Sequence, residues 1–171
     1  AIQASLTGHL VLSTLHTNDS AGAVTRLIDM GAEPFLVSSS LLAVMAQRLV
    51  RRLCTMCKEP YIITPEELLE LGLDPTQIIE RTVYKRGEKD CERCQGTGYS
   101  GRSGIHELLV INDEIRGLIL QKVDSSTIKN AAYKYGFRTL RQDGGLKVLD
   151  GLTSVEEVMM VTHEDQAVAQ E

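Results

Sequence analysis

Cys54, Cys57, Cys91 and Cys94 are all the cysteines of the chain, and they fall into two CxxC pairs. Two residues between paired cysteines let both thiolates of a knuckle reach one tetrahedral ion. Two knuckles complete a four-thiolate set, the closed ligand sphere of a structural zinc. A catalytic zinc would keep one ligand position open, and nothing in the pattern argues for that. The competing readings are two disulfides or four unrelated buried thiols. The chain shows no signal-peptide pattern, which favours a reducing, cytosolic compartment in which thiolates hold metal. The second knuckle continues as Gln95-Gly96-Thr97-Gly98, and its glycines permit the tight turn that a knuckle needs.

A second constellation lies near the start. His9–Leu15 is short, apolar and β-prone, which predicts a buried strand of a parallel sheet. His16-Thr17-Asn18-Asp19-Ser20 follows as a polar loop ending in good helix caps. Ligands of open α/β sheets bind at such a loop, beyond the carboxyl end of a strand. His16 there can donate a hydrogen bond to a phosphate oxygen. It can equally cap the helix that follows. The 171 residues contain no GxxxxGK[ST] loop to cradle phosphates, and no Ser-His-Asp constellation stands out.

The elements that must position these residues read as mixed α/β. Val24, Leu27 and Ile28 line one face of a helix that stops at Gly31. A further helix is expected from Pro34 through Val44, and a strand over 47–53. Thr64-Pro65-Glu66-Glu67 carries a capping box with Pro at N1. A short helix is expected around Ile78 and Ile79. A strand over 101–111 leads to helices starting near Asn112, near Asp124 and over 138–150. The last helix opens with a Thr153-x-x-Glu156 capping box. Gln47–Arg52 is a local basic patch, read either as a strand alternating between core and solvent or as a partner surface. The tail from 164 onward is polar and small, and is expected to fray.

Composition bounds the function. Lys+Arg 18 against Asp+Glu 23 give a formal charge of −5. That balance, with two Phe and no Trp for base stacking, argues against a nucleic-acid binder. No apolar run approaches the roughly 20 residues of a membrane span. The opening Ala1–Leu6 reads as a helix already in progress, as though the chain were cut from something longer.

Several long strings resemble one family. They are Leu6–Asp19, Ala23–Leu27, Met30–Phe35, Ala46–Cys54, Gly98-Tyr99, Gly101-Arg102, Gly104–Leu108 and Thr153–Val158. The family is the secretion ATPases that drive type II secretion and type IV pilus assembly. Ala23–Leu27 together with Glu33–Leu36 resembles the type II secretion branch more than the pilus branch. The resemblance implies the C-terminal part of a RecA-like ATPase domain: core residues 1–53, a tetracysteine zinc subdomain over 54–100, a strand and helical region over 101–163 and a flexible tail over 164–171. It implies that His16 senses the γ-phosphate of ATP and that Arg102 approaches nucleotide phosphate, a task that suits a guanidinium fork. Arg26 is read either toward nucleotide or a neighbouring subunit, or as a solvated helix residue. His106 is read as structural. The resemblance further implies ATP and Mg2+ as cofactors of a longer, hexameric parent, beside the structural zinc. Its partners would be inner-membrane secretion platform proteins, met from the cytoplasmic side. The family's phosphate loop, acidic box and Walker B segment have no counterpart in these residues, so the parent is expected to hydrolyse ATP and this stretch alone is not.

Overall fold

The computed structural model describes residues 2–87 and 90–162. The expected tail, 164–171, lies outside the described residues. The chain divides into two compact units; it passes from one to the other inside two long strands and again between Arg138 and Thr139. Among the described residues, one unit comprises 2–46 and 107–138; the other comprises 47–87, 90–106 and 139–162.

In chain order, α1 (Ile2–Leu6), α2 (Ser20–Asp29) and α3 (Pro34–Ser40) precede strand β1 (Ala43–Leu53). Strand β2 (Glu59–Ile62), helix α4 (Pro65–Glu70), a single 3-10 turn at Pro75–Gln77 and strand β3 (Thr82–Lys85) follow. Strand β4 (Tyr99–Val110) then leads into α5 (Asp113–Leu120), α6 (Ser125–Tyr133), α7 (Leu140–Leu149) and α8 (Val155–Val161). Among the described residues the strands form two two-stranded sheets, β1 with β4 and β2 with β3. The second pair is antiparallel, with Pro60 opposite Tyr84 and Tyr61 opposite Val83.

The first unit is built on helix caps and one apolar cluster. Asp19, Asn112 and Asp124 each take a first-turn N–H with the side chain, from Gly22, Ile115 and Thr127. This satisfies donors that a helix N-terminus leaves open. Val24 of α2, Val37 of α3, Leu109 of β4, Ile115 and Ile119 of α5 and Ile128 of α6 are buried together. The second unit buries Val50 of β1, Leu68 of α4, Ile105 of β4, Leu140 and Val148 of α7 and Val158 of α8. Its α4 carries the expected capping box, with Thr64 and Glu67 each satisfying the other's backbone N–H.

Several expectations are corrected. Residues 9–15 form no strand, and Leu10 and Leu12 are 79% and 88% exposed. An apolar run becomes a parallel strand only if neighbours take its backbone groups, and no strand among the described residues pairs with it. Helix α3 ends at Ser40, not Val44, because the hydroxyls of Ser38, Ser39 and Ser40 bond back to the carbonyls of Phe35 and Leu36. β-Branched Val44 then falls in β1. Ile78 and Ile79 follow the 3-10 turn and are not helical. The last helix is capped by Ser154, not Thr153. The Thr153 hydroxyl is already committed to the Arg51 carbonyl, at 2.8 Å.

Candidate functional site

The four cysteines converge. Cys54 follows the last residue of β1, and its N–H donates to the Gly98 carbonyl at 2.9 Å. Its own carbonyl receives the Lys58 N–H at 3.1 Å, closing the first knuckle. In the second knuckle the Cys94 carbonyl accepts from the Thr97 N–H and hydroxyl, and the Gly98 N–H points at the Cys94 sulfur at 3.3 Å. Cys54 and Cys94 are buried, whereas Cys57 and Cys91 are half-buried. The four sulfurs lie within 4.8 Å of one another, with Cys54 to Cys91 at 3.9 Å and Cys57 to Cys94 at 3.6 Å.

These separations test the three readings. Zn–S bonds of about 2.3 Å in a tetrahedron place sulfurs about 3.8 Å apart. All four cysteines are free thiols, so the two-disulfide arrangement is not the one adopted. The donor set therefore fits a tetrahedral, thiophilic ion with no open position. Burial pushes the Cys57 thiol up to about 12, and its hydrogen bonds with Cys94, Cys54 and Cys91 add to the rise. Burial also opposes ionisation of Cys94, but there the Gly98 N–H and the other three thiols outweigh it and bring the thiol down to about 7.

Two glycines hold the knuckles in register. Gly98 has φ +76°, and a Cβ there would stand 2.7 Å from the Cβ of Arg86. A Cβ on Gly87 would fall 1.9 Å from the Cys57 carbonyl oxygen. The sequence reading found Gly98 through its place beside the CxxC, but it missed Gly87, which no motif marks.

The same unit contains a second network that the sequence reading left open. Arg51, inside the basic patch, gives its backbone N–H to Glu157 Oε1 at 2.9 Å. Its guanidinium grips Glu157 Oε2 through Nε at 2.9 Å and Nη2 at 2.6 Å. The guanidinium also lies 4.2 Å from the centre of the Tyr99 ring, within cation–π range. The Tyr99 hydroxyl meets Ser154 Oγ at 2.9 Å. The start of α8 is thus fastened to β1 three residues before Cys54. The backbone of His106 is held in the same unit. Its N–H donates to Asp143 at 2.9 Å, and Lys147 bridges Asp143 and the Gly104 carbonyl, each at 2.6 Å.

The residues expected to meet nucleotide are placed separately. His16 and Arg26 belong to the first unit and Arg102 to the second. All three are exposed. His16 sits in the loop before α2, Arg26 lies in the last turn of α2 and Arg102 lies on β4. Asp19, not His16, caps α2, so the alternative reading of His16 as the cap does not hold. No helix among the described residues is long and apolar enough to cross a membrane.

The chain matches the model of a family described as Type II/IV secretion system protein over residues 1–160. It is 52% identical over 165 residues to the type II secretion system protein E of Pseudomonas aeruginosa, covering 96% of this chain and 32% of that protein. It is 51% identical over 164 residues to the type IV pilus assembly ATPase PilB of Thermus thermophilus, covering 96% of this chain and 18% of that protein. It is 49% identical over 166 residues to the type II secretion system ATPase E of Vibrio cholerae, again covering 96% of this chain and 32% of the relative. The chain therefore spans about a third or less of the length of these relatives.

Proposed function

The chain belongs to the type II/IV secretion system protein family, and from that premise we propose that it is part of a RecA-like ATPase that powers type II protein secretion by driving pseudopilus assembly. The observation that carries this reading is identity of about half, across nearly the whole chain, to relatives named as secretion and pilus ATPases. Type IV pilus assembly is the second reading, favoured by the Thermus relative, whose identity equals that of the secretion proteins within a percentage point or two. In either branch the parent is a cytoplasmic homo-hexamer acting on an inner-membrane platform, with ATP and Mg2+ as cofactors.

Within that parent, Cys54, Cys57, Cys91 and Cys94 hold one structural zinc. The ion supplies folding energy and no step of the reaction. His16 faces the γ-phosphate and Arg102 approaches the phosphates of the nucleotide. Their exposure supports this, because each is available to a ligand. Arg26 stays a solvated residue of α2, or reaches a neighbouring subunit. These 171 residues contain no phosphate loop and no Lys to accompany it, so by themselves they should not turn over ATP.

The test uses the full-length protein that contains this chain. His16→Ala and Arg102→Ala are each expected to lower ATP turnover about tenfold or more, less than the 10³–10⁵ of a complete arginine finger. Melting temperature and zinc content should stay unchanged. Unchanged turnover in both variants would reject the assignment of the two residues.

A further inference from the structure

The start of α2 is held more firmly than a helix end requires. Asp19 already caps it, taking the Gly22 N–H on Oδ1 at 2.6 Å, and the Thr17 hydroxyl supports this turn by donating to the Asp19 carbonyl at 3.1 Å. Yet a second carboxylate is brought to the same turn from β4. Glu107, only 1% exposed, accepts the Ser20 N–H at 2.8 Å and the Ser20 hydroxyl at 2.5 Å on the same Oε1. A third charge comes from α6, where Lys129 donates to the other Asp19 oxygen at 2.6 Å. Both members of that pair are largely buried, at 20% and 16% side-chain exposure.

Burying charge is costly unless geometry and hydrogen bonds repay it, and such networks are best explained by what they fix. Here two elements, β4 and α6, fix two consecutive residues, Asp19 and Ser20. His16 stands three residues before that anchor. On its other side, residues 10–15 are without regular structure. The placement of His16 therefore depends on the anchor at its carboxyl side.

We propose that Glu107 and Lys129 are positioning residues for His16, acting through Ser20 and Asp19 to hold the His16 loop where the γ-phosphate of ATP arrives. This rests on the reading of the chain as part of a secretion ATPase. Neither residue touches nucleotide. Their contribution is geometric, and displacement of a catalytic group by about 1 Å can cost up to about 10²-fold in rate.

The test is a double-mutant cycle in the full-length ATPase. Lys129→Met is expected to lower kcat about tenfold in the wild-type background and less than about twofold in a His16→Ala background. Equal losses in both backgrounds, or none in the first, would overturn the proposal, because a purely structural lysine would act regardless of His16. Should Lys129→Met fail to fold, Ser20→Ala replaces it. That variant removes the Ser20 hydroxyl's bond to Glu107 and should show the same dependence on His16 at a smaller amplitude. A second readout does not depend on ATP turnover. In the 171-residue chain, the imidazole NMR signals of His16 should move in Lys129→Met while those of His9 stay in place. Unmoved His16 signals would overturn the positioning role even if the protein proves to be an active ATPase. Moved signals in a protein without ATPase activity would uphold the anchoring and reject the function proposed for the parent.

Discussion

At the scale of single residues, the Arg51–Glu157 contact shows how position decides what a charge does. Sequence gives Arg48, Arg51 and Arg52 as one basic patch. The structure takes Arg51 out of it: the guanidinium is 48% exposed, while its partner carboxylate is 2% exposed. The two halves of the pair are therefore not equivalent. Arg51→Ala leaves a buried carboxylate with only a backbone N–H, and is expected to cost about 3 kcal/mol, the low end of the range for a broken buried pair because Arg51 is half in solvent. Glu157→Gln keeps an oxygen for the Arg51 N–H and buries no stranded charge, and should cost about 1 kcal/mol. Urea unfolding of the two variants checks the order, and a larger loss for Glu157→Gln would contradict it. No spacing rule couples residues 51 and 157, so this pair was invisible in the sequence. The cysteines were legible because CxxC spacing is itself the chemistry.

At the scale of elements, the same substitution should have opposite effects at two helical glycines. Gly117 of α5 has open space where a Cβ would go. Gly117→Ala should stabilise by about 0.5–1 kcal/mol, through helix propensity and a less flexible unfolded chain. In α7, a Cβ on Gly144 would meet Val158 Cγ1 of α8 at 2.6 Å. Overpacking there costs about 1–3 kcal/mol and outweighs the propensity gain of about 1 kcal/mol, for a net loss of about 1 kcal/mol. Thermal melts of both variants decide the point; a stabilised Gly144→Ala would show that packing of α7 on α8 is not what fixes Gly144. Legibility followed a similar division. Local signals succeeded where they were self-contained: the Thr64 capping box, the Asn112 and Asp124 caps, the strand through 47–53. They failed where a partner decided. Thr153 was drawn away from its helix by the Arg51 carbonyl, the three serines ended α3 early, and residues 9–15 carried a strand pattern that no described strand pairs with. The polar loop 16–20 was found as a candidate site, but Glu107 and Lys129, which anchor it from β4 and α6, gave no sequence signal.

At the scale of the whole molecule, one ion is expected to govern one compact unit. The cysteine cluster draws Cys54 and Cys57 from the turn after β1, and Cys91 and Cys94 from the segment leading into β4. Zinc bound there closes a loop of the chain that contains β2, α4 and β3. Because all four ligands must be thiolates, binding must expel the protons they carry. Without metal, the Cys57 thiol, raised to about 12, keeps its proton near neutral pH. Zinc binding near pH 7 should therefore release at least that proton. The sign follows directly: affinity falls as pH falls, because protons compete for every sulfur. For the metal-free chain, the depressed Cys94 thiol adds stability above its ordinary range that is lost as pH falls through about 7. The elevated Cys57 thiol adds stability that is lost only as pH rises toward about 12. Calorimetric titration of zinc into chelator-stripped protein, in two buffers of different ionisation enthalpy, measures the proton count. Amide exchange before and after stripping should show lost protection at Cys54, Lys58, Thr97 and Gly98, whose N–H groups close the two knuckles. Release of fewer than about one proton, or exchange unaltered by chelation, would mean that the four sulfurs meet without a metal to hold them.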